Sequence, residues 1–147
     1  MTTFNKPLFL GGILSLIAAL LHIAIIIGGP DWYRTFGAGE EMAIMAEEGS
    51  WYPAFVTSGI AFVLFLWALY GFSGAGLIRR LPLLKTGLVV ISAIYLLRGL
   101  AVIPIYFLMP EIIDSFLIWS SLICLVYGIS YAVGTKQIWV GRTENTS

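Results

Sequence analysis

Gly87–Met109 reads GLVVISAIYLLRGLAVIPIYFLM, an apolar run with a single charge, Arg98, near its middle. A helix over these residues rises about 35 Å, enough to cross a hydrocarbon core of ~30 Å. An ionisable side chain at that depth is costly, and by default it marks a functional site whose partner must be named. The fold follows from this reading, because the rest of the chain has the same character.

Of the 147 residues, 59% are apolar and 11% charged, and the mean hydropathy is +0.94. Ordinary soluble domains carry about 25% charged residues. A chain this short buries too small a share of its surface to hide so much apolar area from water, so lipid is its solvent. Four runs pass the length test for a membrane helix: Leu8–Gly28, Pro53–Leu77, Gly87–Met109 and Phe116–Thr135. The first resembles a secretory leader with Lys6 as its basic flank. Its apolar run is too long, and no small-residue cleavage site follows, so it is expected to be a retained span. The expected fold is an all-α, four-transmembrane-helix bundle forming a single membrane domain over residues 1–147.

Charge sets the orientation. Lys6, Arg79, Arg80, Lys85, Lys136 and Arg142 flank one side, with Glu144 as its acid; Asp31, Glu40, Glu41, Glu47, Glu48, Glu111 and Asp114 flank the other, with Arg34 as its base. Basic excess marks the cytoplasmic side, which places both termini inside. Trp32, Tyr33, Trp51, Tyr52, Tyr106 and Trp119 fall at the outer ends, and Tyr131 and Trp139 toward the inner, as interfacial anchors do.

The connections are unequal. Arg79–Lys85 is a tight turn broken by Pro82, and Met109–Ser115 is a short one. Residues 29–52 exceed what a connection requires and should carry structure or function. Within them Glu40–Glu48 (EEMAIMAEE) has helical spacing, with Met42, Ala43, Met45 and Ala46 on one side and four glutamates with Ile44 on the other. Gly37, Gly39 and Gly49 punctuate it. A short interfacial helix is expected, serving as a lid or an acidic gate.

The chain also repeats itself. Leu69-Tyr70-Gly71-Phe72-Ser73-Gly74-Ala75 in the second span matches Val126-Tyr127-Gly128-Ile129-Ser130-Tyr131-Ala132 in the fourth. Leu20-Leu21-His22 matches Leu96-Leu97-Arg98 more loosely. Two helical hairpins of common origin, both starting inside, would be parallel repeats about an axis along the membrane normal. His22 and Arg98 would then occupy equivalent depths, about 21 and 17 Å from the inner ends of their spans. Tyr70, Gly71, Ser73, Tyr127, Gly128 and Ser130 read as packing residues, glycine for close approach and serine for hydrogen bonds across or along helices.

Arg98 carries the site hypothesis. Tyr95, Ala101 and Val102 share its face, and Pro104 leaves the Leu100 carbonyl without its helical donor. One reading neutralises Arg98 inside the protein through Asp31, Glu40 or Glu41, or through Glu111 or Asp114, since no span contains a carboxylate. The other makes it an anion receptor, for which a planar fork of donors is suited. His22 sits on a stripe with Ser15, Ala18 and Ala19, either packing across helices or relaying protons beside Arg98. Thr57, Ser58, Ser120, Ser121 and Cys124 read as ordinary intramembrane polar residues.

Several functions are excluded. Net charge is zero, leaving no basic footprint for nucleic acid. A lone histidine and a lone cysteine cannot build a His/Cys metal centre in one chain, and bis-histidine haem would need a second copy. No cofactor is expected. The Asn145-Thr146-Ser147 sequon falls on the cytoplasmic side, where it has no role. What remains is a protein that binds or helps transport a small anionic or amphiphilic ligand at Arg98, His22 and Tyr95. The alternatives are an accessory subunit of a membrane complex, with Arg98 internally paired, or an embedded enzyme on a lipid-like substrate. The last is disfavoured by the shortage of acid–base groups. A pathway through so narrow a bundle would call for a homo-oligomer or a membrane-protein partner. Compactness and the absence of a sorting signal point to a bacterial inner membrane.

Overall fold

The structure is a computed structural model that describes residues 4–144, with side chains as far as Val140. The Asn145-Thr146-Ser147 sequon and the side chains of Arg142 and Glu144 lie outside the described residues. Among the described residues seven α-helices follow one another: α1 Lys6–Gly28, α2 Pro30–Thr35, α3 Glu40–Glu47, α4 Tyr52–Ala75, α5 Leu84–Leu100, α6 Val102–Leu108 and α7 Ser115–Glu144, with a 3-10 turn at Pro110–Ile112. No strand occurs among the described residues. Four helical stretches are long and apolar enough to cross a membrane: Lys6–Gly28, Tyr52–Ala75, Leu84–Leu108 and Ser115–Val140.

Local chemistry explains each boundary. Asn5 caps α1, its side-chain oxygen accepting the Leu8 N–H at 3.2 Å. The second span stops two residues short of the expected Leu77, because the Leu77 N–H turns back to the Phe72 carbonyl at 3.0 Å. The third starts three residues early, at Leu84, behind Leu83 in a left-handed conformation at φ 53°. It breaks at Ala101, where Pro104 offers no N–H to Leu100; Ile105 resumes the ladder to the Ala101 carbonyl at 3.2 Å.

The chain forms two compact units, one from Met1–Leu14 with Trp67–Ser147, the other from Ser15–Leu66. In the first, small residues let helices touch. A Cβ on Gly71 would stand 2.8 Å from the Gly12 Cα, so α1 and α4 meet backbone to backbone. Leu8, fully buried, fills the space beside Gly74 and Gly134. Asn5 reinforces this end: its amide donates to the Gly134 carbonyl at 2.8 Å, and its backbone N–H donates to Ala75 at 3.3 Å. α5 packs along α7 with Gly99 against the Leu125 backbone and Gly128 against the Leu96 backbone. An aromatic cluster completes the core. The Tyr95 ring stacks on Tyr131 and meets Trp67 and Tyr127 edge-on, while the Tyr131 hydroxyl donates to the Trp67 carbonyl at 2.9 Å.

In the second unit, Ile25, Tyr33 and Ala43 form a small core, joined by Phe36 and Ala46. The helix expected near Glu40–Glu48 is α3, with its glutamates and Ile44 exposed and Ala43 buried. α2 was not anticipated. Pro30 starts it, but six residues are too few for a periodicity to register. Both helices end on a glycine in the left-handed region, Gly37 (φ 76°) and Gly49 (φ 80°), with the Ala38 and Ser50 N–H groups returning to Tyr33 and Met45. Two aromatic residues read as interfacial anchors are core residues instead: Tyr33 is 2% exposed and Tyr131 fully buried. Trp51, Tyr52, Tyr106, Trp119 and Trp139 are exposed.

Candidate functional site

Leu96 lies against Gly128 and Gly99 against Leu125, so in this antiparallel pair Val126 is level with Arg98. The guanidinium does not stay at that level. Nη1 donates to the Ser121 hydroxyl at 3.1 Å and Nη2 to the Ser120 hydroxyl at 3.2 Å. Those serines lie five and six residues nearer the start of α7, a displacement of about 8 Å along the helix. The side chain therefore carries its charge toward the α6–α7 end of the hairpin, as a long cationic side chain does when its Cα is deep in an apolar span.

The remaining partners matter as much. Among the described residues, Arg98 makes no ion pair; its contacts are the two neutral hydroxyls. Ser120 already donates its proton to the Leu117 carbonyl at 3.1 Å, so it can only accept from Arg98. Ser121 is 1% exposed and accepts from Arg98, so it anchors the guanidinium from the buried side. A guanidinium has five N–H donors, of which two are engaged here. The result is a donor-rich patch at an exposed arginine, flanked by exposed Leu97, Trp119 and Leu122. Neither serine has a base within hydrogen-bonding reach among the described residues, so nothing there activates a nucleophile.

The acids suggested as partners of Arg98 are organised around another arginine. Arg34 grips Glu40 through Nε at 2.9 Å and Nη2 at 2.9 Å, Glu47 at 2.8 Å and Asp31 at 3.4 Å. The hydrogen bonds to Glu40 and Glu47 hold the Arg34 pKa above its ordinary value, and the bond from Arg34 holds the Glu40 carboxyl below its own. Glu41 is exposed on the first turn of α3. Asp114 caps α7 through the Leu117 N–H at 2.7 Å.

Tyr95, one turn from Arg98, points into the aromatic core, so its ring and the guanidinium leave α5 in different directions. His22 belongs to the second unit, where Nδ1 donates to the Ala18 carbonyl one turn back at 2.6 Å. That bond fixes the proton on Nδ1 and leaves Nε2 as the acceptor in a neutral ring. The matched Tyr-Gly-x-Ser units do different work. Tyr70 donates to the Pro82 carbonyl at 3.0 Å, and Ser73 bridges the Arg79 carbonyl and the Leu81 N–H, both at 3.0 Å, so this copy ties down the basic turn. Tyr127 packs on Tyr95, and Ser130 bonds back to Val126 within its own helix.

Sequence reading missed Ser120 and Ser121 as the arginine's partners. The signal was a serine pair half a span from a lone arginine across a short turn, needing only the hairpin register and the length of the side chain. Comparisons with protein-family models, with curated proteins and with solved structures gave no match to this chain.

Proposed function

We propose that this chain is a multi-pass membrane protein that binds a small anionic or amphiphilic ligand at Arg98. One observation carries the reading: a guanidinium in an apolar span whose described partners are two neutral serine hydroxyls and no carboxylate. Such a charge is incompletely compensated, and an anion supplies what is missing. Ser120 and Ser121 orient the fork; Tyr95 stiffens α5 from behind through its aromatic packing. His22 is a second polar position whose free Nε2 suits hydrogen bonding within the membrane.

The finer topology belongs to the same proposal. The basic turn at Arg79–Lys85 and the acidic α2–α3 segment support cytoplasmic termini and an outer α3 lying at the interface. The shared Tyr-Gly-x-Ser pattern supports descent from a duplicated hairpin, with Gly71 and Gly128 each still seating a neighbouring helix. A bacterial inner membrane is the expected location.

The test compares thermal unfolding of the detergent-extracted chain with that of Arg98→Ala, each with and without anionic amphiphiles. Ligand-binding predicts similar stability without ligand, and stabilisation by ligand only where Arg98 is present. Marked destabilisation of Arg98→Ala without any ligand-dependent difference would instead favour an accessory subunit that uses Arg98 structurally.

A further inference from the structure

We infer that the anion at Arg98 is the singly charged headgroup of a phospholipid, reached sideways from the bilayer at the α6–α7 end of the hairpin. This rests on the reading of Arg98 as an anion receptor and specifies its source and charge. Depth is the first argument. The spanning part of α7, Ser115–Val140, is 26 residues, or about 39 Å, against a hydrocarbon core of ~30 Å. Centred on that core, it extends roughly 4–5 Å beyond each face. Val126, level with Arg98, is then about 12 Å inside the hydrocarbon, whereas Ser120 and Ser121 are only about 4 Å inside. The bend of the side chain toward the serines therefore brings its charge from a depth no headgroup visits to one just below the headgroup layer.

Charge is the second argument. The patch offers one full positive charge, and among the described residues no second cation contacts Ser120 or Ser121. A single negative charge neutralises it; a dianion would carry a surplus into low dielectric. The donors match a phosphodiester: the uncommitted N–H groups of the exposed guanidinium face its oxygens, while the buried Ser121 hydroxyl holds the fork in place. Access is the third. Arg98 is exposed on the flank of α5 and α7, between exposed Leu97, Trp119 and Leu122. These side chains give acyl chains an apolar path beside the headgroup, which a ligand arriving from water would not need.

Native mass spectrometry of the full chain in a neutral detergent tests this with four probes: phosphatidylglycerol, phosphatidylcholine, phosphatidic acid and the water-soluble phosphodiester glycerophosphoglycerol. One phosphatidylglycerol should bind per chain, more tightly than phosphatidic acid or phosphatidylcholine. Arg98→Gln should weaken it about tenfold or more, the loss of a charge-assisted contact. Ser121→Ala should weaken it about three- to tenfold with the charge intact, which keeps the test alive if Arg98→Gln fails to fold. Glycerophosphoglycerol binding as tightly as phosphatidylglycerol, in an Arg98-dependent way, would overturn the lipid source and leave the anion receptor standing. Preference for phosphatidic acid would overturn the single charge. No Arg98-dependent binding of any probe, or an Arg98-dependent dimer in lipid-free detergent, would overturn both, the dimer by showing that a second copy covers the site.

Discussion

Two glycines of α4 face opposite situations, and replacing each with alanine should move stability in opposite directions. A Cβ on Gly59 would meet nothing within 4 Å. Gly59→Ala therefore gains only helix propensity, about 1 kcal/mol. A Cβ on Gly71 would stand 2.8 Å from the Gly12 Cα and 2.9 Å from its N. Carbon atoms pack best at roughly 3.5–4.0 Å, so α1 and α4 must part by most of an ångström along a line where both are backbone and neither can rotate away. The same Cβ would stand 3.0 Å from the Tyr131 hydroxyl oxygen, whose bond to the Trp67 carbonyl fixes the tyrosine in place. Overpacking of this kind costs about 1–3 kcal/mol, to which the loss of the Tyr131 bond adds about 1 kcal/mol. After the propensity gain, Gly71→Ala should be destabilising by about 1–3 kcal/mol. At about 2–4 °C per kcal/mol for a chain of this size, thermal unfolding followed by circular dichroism in detergent should show Gly59→Ala rising by a few degrees and Gly71→Ala falling. A rise for Gly71→Ala equal to that of Gly59→Ala would refute the backbone contact between α1 and α4.

Three further outcomes follow from local geometry. Asn5→Ala removes the α1 cap and the donor to Gly134, and should cost about 2 kcal/mol in the same unfolding assay. Ser73→Ala should cost about 1–2 kcal/mol through its two bonds to the basic turn, whereas Ser130→Ala, which loses only a bond within its own helix, should be near neutral; equal effects would mean the two matching Tyr-Gly-x-Ser segments do the same work. Because Arg34 holds the Glu40 carboxyl below its ordinary value, the clasp contributes stability above the unfolded glutamate pKa of about 4.3 and loses it as pH falls through the lower folded value; the Arg34 Nε–H resonance in nuclear magnetic resonance should keep its position to below that pH and then shift, and a Glu40→Gln chain should lack the transition.

How much of this was legible in the sequence depends on the range of the interaction. The four spans needed only hydropathy and length, so they were readable; Pro104 marked the lost bond at Leu100, but not that the third span divides into α5 and α6. Three helix ends moved by two or three residues because hydropathy does not register caps: Asn5, Leu83 and the turn-back at Leu77 act through backbone geometry; α7 runs nine residues past the expected Thr135, to Glu144, because its polar last turns carry no apolar signal. α2 was invisible because six residues hold less than two turns. Tyr33 and Tyr131 were misread as interfacial because an aromatic near a span end has the same local sequence whether it anchors or packs; what decides is the partner, Ala43 for one and the Trp67 carbonyl for the other. Arg98 was legible as an anomaly, but its hydroxyl partners were not, since they depend on the register of α5 against α7 and on a side chain that reaches across two turns.

Arg34 and Arg98 illustrate why partner chemistry, rather than residue type, decides a functional reading. Arg34 is in contact with water and surrounded by Asp31, Glu40 and Glu47, so its charge is over-compensated and it can act only as a tie for its own acids. Arg98 is in an apolar span with two hydroxyls. Hydroxyl oxygens accept its protons but contribute no net charge, so the field of the guanidinium extends unneutralised into a medium where screening is weak. An anion gains little by approaching Arg34, where it would meet three carboxylates. At Arg98 it meets a guanidinium with no carboxylate beside it among the described residues, and neutralising that charge removes the cost of having placed it there. That cost, roughly 2.5–3.5 kcal/mol on insertion scales for an arginine at a helix centre, is what a bound headgroup would relieve. It is also why stabilisation by an anionic amphiphile should depend on Arg98 and be indifferent to Arg34→Gln.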